Sequence, residues 1–230
     1  MEKEYKINLL RRLSTSVLII MPIVLIIYLQ NILVFSLMIS LISFLAMYEW
    51  IKNDFTSRYF SGFGLIFLFW FCSIYFVMNY STPLIHQTLF ASLGSLSIYN
   101  IFLIIILNTA IFDTFAYVVG SNFGKNFITP KISPNKTLEG LLGGLIGNTF
   151  FSLIICYFYS ISYWLILIFI IGGILAFIGD LKISFHKRQI GIKDTGSLLP
   201  GHGGILDRLD SHLIATPVIL ILTIKLLPLL

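Results

Sequence analysis

The stretch from Gly179 to Asp210, GDLKISFHKRQIGIKDTGSLLPGHGGILDRLD, decides how the chain is read. Eleven of its 32 residues are Asp, Lys, Arg or His, in a protein that is only 11% Asp, Glu, Lys and Arg. Three carboxylates (Asp180, Asp207, Asp210), a basic cluster (Lys187, Arg188, Lys193, Arg208) and a Gly-rich turn from Pro200 to Gly204 fall between two strongly apolar segments. That grouping points to a site for a polyanion and a metal ion, held at a membrane surface.

Working outward, the rest of the chain is largely hydrocarbon. With 57% hydrophobic residues and a mean hydropathy of +0.95, 230 residues have too little interior to bury their apolar side chains in water. A spanning helix needs about 20 apolar residues, so the expected fold is an all-α polytopic membrane bundle of about seven to eight spans, with residues 1–230 forming one integral domain. Apolar runs fall at about 14–30, 32–49, 60–79, 99–119, 138–159, 162–179 and 212–229. With the N-terminus in the cytoplasm and one crossing per run, 14 of the 15 Lys and Arg lie on the inner side, Lys225 excepted. That bias follows the positive-inside rule. The segment 81–98, interrupted by Pro83, His86 and Gly94, is read as an outer connection. Cys72 and Cys156 sit within apolar runs and suggest neither a disulfide nor a metal site. The basic N-terminal residues are not read as a signal peptide, because no small-residue cleavage site follows them.

A second polar connection precedes the run at 138–159. Asp113 and Tyr117 stand one helical turn apart at the end of the fourth run. The following segment contains Lys125, Lys131, Lys136, Pro130 and Pro134, and Ser133, Thr137 and Glu139 stand where the next helix should begin. Hydroxyls and amides at a helix N-terminus suit an anion, although a basic loop with an ordinary cap explains the same residues. Gly140, Gly143, Gly144 and Gly147 then recur at spacings that let helices approach closely in lipid.

Asp180 closes an apolar run, where a carboxylate is costly unless paired or wet. Asp207 and Asp210 stand at i and i+3 before the last run. Crowded carboxylates repel unless a cation intervenes, and Mg2+ is the natural one, since it takes oxygen ligands and leaves positions open for substrate phosphates. His202 has no second His at a ligand spacing, which argues against zinc. The turn PGHGG offers amides for an anion, but no P-loop or dinucleotide fingerprint is present.

These residues resemble the signature of the phosphatidate cytidylyltransferases, also called CDP-diacylglycerol synthases. The resemblance is carried by Ser184, Lys187, Arg188, Lys193, Asp194, Pro200, His202, Gly203, Gly204, Asp207, Arg208 and Asp210 at matching spacings. The run Ser133, Pro134, Lys136, Thr137, Glu139, Gly140, preceded by Asp113, Tyr117 and Gly120, is similar to that family's second block. Together they cover 113–211, whereas the N-terminal spans agree only in being apolar. His186 and Asn135 depart from the pattern, and the chain is short for the family.

The resemblance implies transfer of a cytidylyl group from CTP to phosphatidate in the inner leaflet, giving CDP-diacylglycerol and pyrophosphate. It implies Mg2+ on Asp180 and Asp207, alone or with a second cation, and Asp210 and Lys193 beside them in the catalytic set. Lys187, Arg188, Arg208, Ser184 and the backbone at His202, Gly203 and Gly204 would bind phosphates, and Ser133, Lys136, Thr137 and Glu139 the nucleotide. No nucleic acid is expected as a partner; membrane lipid is, and so is a homodimer. The expected location is a bacterial inner membrane with the site facing the cytoplasm. Two rival readings are a CTP-dependent lipid-alcohol kinase and an ion-coupled transporter using Asp113 and Asp180.

Overall fold

The computed structural model describes residues 25–26, 28–55, 59–80, 96–198 and 203–226. The expectations about the first apolar run, the connection at 81–98 and the residues Pro200 and His202 therefore lie wholly or mostly outside the described residues. Within them the helices are Ile32–Lys52 (α1), Tyr59–Tyr80 (α2), Ile98–Phe123 (α3), Leu138–Tyr159 (α4), Leu165–Gln189 (α5), Leu206–Leu209 (α6) and His212–Leu226 (α7). Among the described residues, six segments are long and apolar enough to cross a membrane, α6 and α7 together making the sixth. The fold is the expected all-α membrane bundle. Each of the six expected runs from 32 onward is one of its spans.

Local sequence sets the helix ends. Asn31 caps α1 by accepting from the amide of Leu33 at 2.8 Å. Ser97 caps α3 through Asn100, and Thr137 caps α4 through Gly140 at 3.1 Å. Each cap supplies an acceptor for an amide that has no partner in the first turn. At the far end of α4, Ser160 takes a left-handed conformation (φ 53°) and ends the helix.

Packing explains the glycines. α3 and α4 form the most extensive helix pair, and α7 lies at the centre against α2, α3 and α5. A Cβ on Gly143 would stand 2.5 Å from Val119, and one on Gly144 2.6 Å from the Phe112 ring. The helical spacing of small residues in α4 thus lets α3 lie directly on its backbone. Polar links cross the apolar interior as well: Asn108 of α3 and Asn148 of α4 both donate to the carbonyl of Phe169 on α5, at 3.4 and 3.1 Å. Many large apolar side chains face outward along the spans, Leu37, Phe44, Ile146 and Phe150 among them, as expected of surfaces in contact with lipid.

One boundary differs from its sequence reading. Asp180 was expected to end a span and open a connection, yet α5 continues for nine more residues to Gln189. A hydropathy run stops where charged side chains begin, but the backbone hydrogen bonds of a helix need not. Asp180, Ser184, Lys187 and Arg188 therefore project from consecutive turns of one rigid helix, rather than from a loop.

Candidate active site

The site is built where the C-terminal ends of α1, α3 and α5 meet the start of α4 and the α6–α7 junction. Gly179 makes the approach possible. A Cβ there would lie 2.6 Å from the carbonyl oxygen of Asp210 and 3.3 Å from that of Ser211, so only glycine lets α5 press against the backbone of the junction. As a result Asp180 of α5 comes within electrostatic reach of Asp210, and Asp113 of α3 within reach of both. A hydrogen bond between Asp113 and Ser211 ties α3 to the same junction.

Two lysines balance the acids. Lys136, just before α4, forms an ion pair with Asp180, and its ammonium sits 5.1 Å from the centre of the Phe177 ring. The Ser184 hydroxyl, one turn further along α5, donates to the other oxygen of Asp180 at 3.0 Å. Lys187, only 8% exposed, donates to Asp207 Oδ1 at 2.8 Å and also acts electrostatically on Asp210. Asp207 Oδ2 accepts the amides of Thr195 at 2.8 Å and Gly204 at 3.0 Å. Asp207 is thus the pin that holds Thr195 and Gly204 to α5, whereas Asp180, Asp210 and Asp113 form the acidic group.

Of the other expected residues, several are occupied in building this frame. Thr137 is buried and caps α4. Glu139 accepts the amides of Lys125 and Asn126 and the Asn126 side chain at 2.7 Å, which fixes the turn after α3. Ser133 shapes the preceding turn through its backbone, donating to Thr129 and accepting from Lys136. Arg188 donates to the carbonyls of Ile132 and Ile192 at 3.2 and 3.0 Å, joining the two polar connections. Gly203 takes φ +80°, and a Cβ there would stand 3.0 Å from Asp207 Oδ2. Lys193, Asp194 and Arg208 are exposed. Tyr117, expected beside Asp113, is 75% exposed.

Sequence reasoning missed Glu49. It ends the first apolar run after Ile32, is 2% exposed, and accepts from Thr195 Oγ1 at 2.9 Å and the amides of Ile205 and Leu206 at 3.0 and 2.9 Å. The available signal was the rule already applied to Asp180: an acid at the end of an apolar run needs a partner.

Among the described residues no three His, Cys, Asp or Glu side chains form a ready metal cage. The carboxylates of Asp180 and Asp210, within electrostatic reach of each other and with Lys136 and Lys187 alongside, are the oxygen donors at this place that a hard cation could use.

Residues 95–226, more than half of the chain and all of this site apart from Glu49, match the cytidylyltransferase family. The chain belongs to the cytidylyltransferase family. Among curated members, a phosphatidate cytidylyltransferase of Staphylococcus haemolyticus is 46% identical over 116 residues, covering 49% of this chain and 45% of that one. The enzyme of the same name from Staphylococcus saprophyticus is 47% identical over the same shares, and that of Staphylococcus aureus strain COL 44%. The match thus spans a little under half the length of these curated relatives. The site residues from Asp113 onward lie within the matched range, and Glu49, with the rest of α1 and α2, stands outside it.

Proposed function

We propose that this cytidylyltransferase uses CTP and phosphatidate to make CDP-diacylglycerol and pyrophosphate. The observation that carries the reading is the meeting of Asp180, Asp210, Lys136 and Lys187 at one end of a membrane bundle, in a chain whose relatives bear the name phosphatidate cytidylyltransferase. Both reactants are anionic, one water-soluble and one lipid. A site at the end of the spans, with cations set among carboxylates, can reach the two together.

In the reaction a phosphate oxygen of phosphatidate attacks the α-phosphorus of CTP in line. The bond from that phosphorus to the α,β-bridging oxygen breaks, and the electron pair leaves with pyrophosphate. The attacking oxygen is already ionised at neutral pH, so the protein need supply no covalent nucleophile. Its work is to hold two anions together: Lys136 and Lys187 exchange part of their contact with Asp180 and Asp207 for substrate phosphates, and the exposed Lys193, Arg188 and Arg208 draw the triphosphate in.

We assign Mg2+ to Asp180 and Asp210, with Asp113 beside them. The resemblance implies Asp180 and Asp207; Asp207 carries two backbone amides and the Lys187 ammonium, whereas the Asp180 oxygens hold only the side chains of Ser184 and Lys136, which can turn toward substrate. Bound Mg2+ would offset charge on the reacting phosphates and on the departing pyrophosphate. We further propose that this end of the bundle faces the cytoplasm of a bacterial inner membrane, since CTP is cytosolic and 14 of 15 Lys and Arg fall on that side of the expected topology. The transporter reading is less well supported, because Asp113 and Asp180 share their site with the Lys136 ammonium, in a chain whose relatives bear the name of a cytidylyltransferase. Purified protein in detergent, given CTP, phosphatidate and Mg2+, should release CDP-diacylglycerol and pyrophosphate in equal amounts. Failure to form either product under conditions where the protein is folded would refute the proposal.

A further inference from the structure

We infer that Glu49, with Asn53 one turn behind it, is a positioning residue that sets the loop carrying Lys193 and Asp207. Both lie on or just after α1, outside the part of the chain that matches the family. The Glu49 carboxylate is buried with no cation among its described contacts, and three donors satisfy it: Thr195 Oγ1 and the amides of Ile205 and Leu206. Such donors offset the cost of burying the group. All three donors belong to the loop or to its junction with α6.

The geometry gives this clamp a direction. Thr195 binds Glu49 through its hydroxyl and Asp207 through its amide, and Asp207 binds Lys187. A continuous chain of contacts therefore runs from α1 through the loop to the basic residue of α5. Asn53 adds a second hold, donating through Nδ2 to the carbonyls of Glu49 at 2.7 Å and Thr195 at 2.5 Å. The packing leaves no slack: a Cβ on Gly196 would stand 2.7 Å from Glu49 Oε1, and one on Gly204 2.4 Å from Oε2 and 2.3 Å from Thr195 Oγ1. Glycine at both positions lets the loop close on the carboxylate from either side. Glu49 acts on the reaction through the loop, by fixing the backbone at Thr195 two residues from Lys193 and, through Thr195, the Asp207 carboxylate.

The inference rests on the proposed role of Lys193 in CTP binding, and two readouts separate its failure from failure of that role. In the full chain in detergent, Glu49→Gln and Asn53→Ala are compared with wild type by hydrogen exchange and by steady-state kinetics. Glu49→Gln should speed exchange of the Ile205 and Leu206 amides about 10-fold or more, the scale set by losing bonds to a charged acceptor. It should raise the KM for CTP by a similar factor and leave the KM for phosphatidate unchanged, with Asn53→Ala shifting both quantities in the same direction by about 3-fold. A simple loss of folded enzyme would lower kcat and move neither KM, and that result would overturn the inference. So would wild-type exchange at Ile205 and Leu206 in both variants. A wild type that makes no CDP-lipid refutes the proposed reaction instead, while the exchange result still decides the clamp. Should Glu49→Gln fail to fold, Asn53→Ala alone gives both readouts and decides in the same way.

Discussion

The contact most exposed to test is the one at Gly179. Alanine there adds a Cβ at 2.6 Å from the Asp210 carbonyl oxygen, whereas ordinary contact begins at 3.4 Å. The nearest neighbours of that Cβ are backbone atoms of Asp210 and Ser211, which cannot swing aside as a side-chain tip can. Helix α5 must therefore recede from the junction by about 0.8 Å, and Asp180 recedes from Asp210 with it. Misplacing reacting groups by about 1 Å costs on the order of 100-fold in rate, so Gly179→Ala should lower kcat/KM for CDP-lipid formation by about 30- to 100-fold. Overpacking of this kind destabilises by about 1–3 kcal/mol, so the variant should still insert and purify. The assay is product formation from α-labelled CTP and phosphatidate in detergent, alongside a thermal melt. Gly64→Ala serves as control, because a Cβ at Gly64 meets nothing within 4 Å, and it should keep the wild-type rate. A Gly179→Ala enzyme with wild-type kcat/KM would refute the reasoning, since the close approach of Asp180 to Asp210 would then be dispensable.

Further changes separate the roles of the other groups. Asp180→Asn and Asp210→Asn should each raise the Mg2+ concentration for half-maximal rate by about 10-fold or more, the cost of one lost charged ligand contact, as read from a Mg2+ titration of turnover. Asp207→Asn should act mainly on stability: it takes from buried Lys187 the carboxylate that it is bonded to, a loss of about 3–5 kcal/mol when a buried pair is broken, seen as a lower melting temperature. Gly143→Val should lower the melting temperature as well, because its branches would enter the space of the Val119 side chain 2.5 Å from its Cβ, an overpacking cost of about 1–3 kcal/mol or more.

Much of the fold was legible because a bilayer permits few solutions. A run of apolar residues long enough to span must be helical to satisfy its own backbone, so six runs read from composition correspond to six spans. Thr137 as a cap and the glycine spacing of α4 were legible too, since each depends on neighbours within a turn or two. The continuation of α5 to Gln189 was not, because hydropathy reports the solvent around a segment and not its hydrogen bonding. Nor was the division of labour among the acids. Asp207 and Asp210 are three residues apart, yet Asp207 holds Lys187 and two loop amides while Asp210 lies within electrostatic reach of Asp180, where Gly179 lets α5 approach the backbone of the junction. Glu49 lay furthest from view. Its partners Thr195, Ile205 and Leu206 are about 150 residues away in the chain, and nothing local to Glu49 names them.

The most direct test of the central claim follows the label of CTP into lipid, with the protein in detergent and no vesicle present. Cytidylyl transfer predicts that an α-phosphate label appears in the lipid product and that a γ-phosphate label leaves in pyrophosphate. Label from the γ-position in the lipid, with none from the α-position, would contradict it and make the protein a kinase.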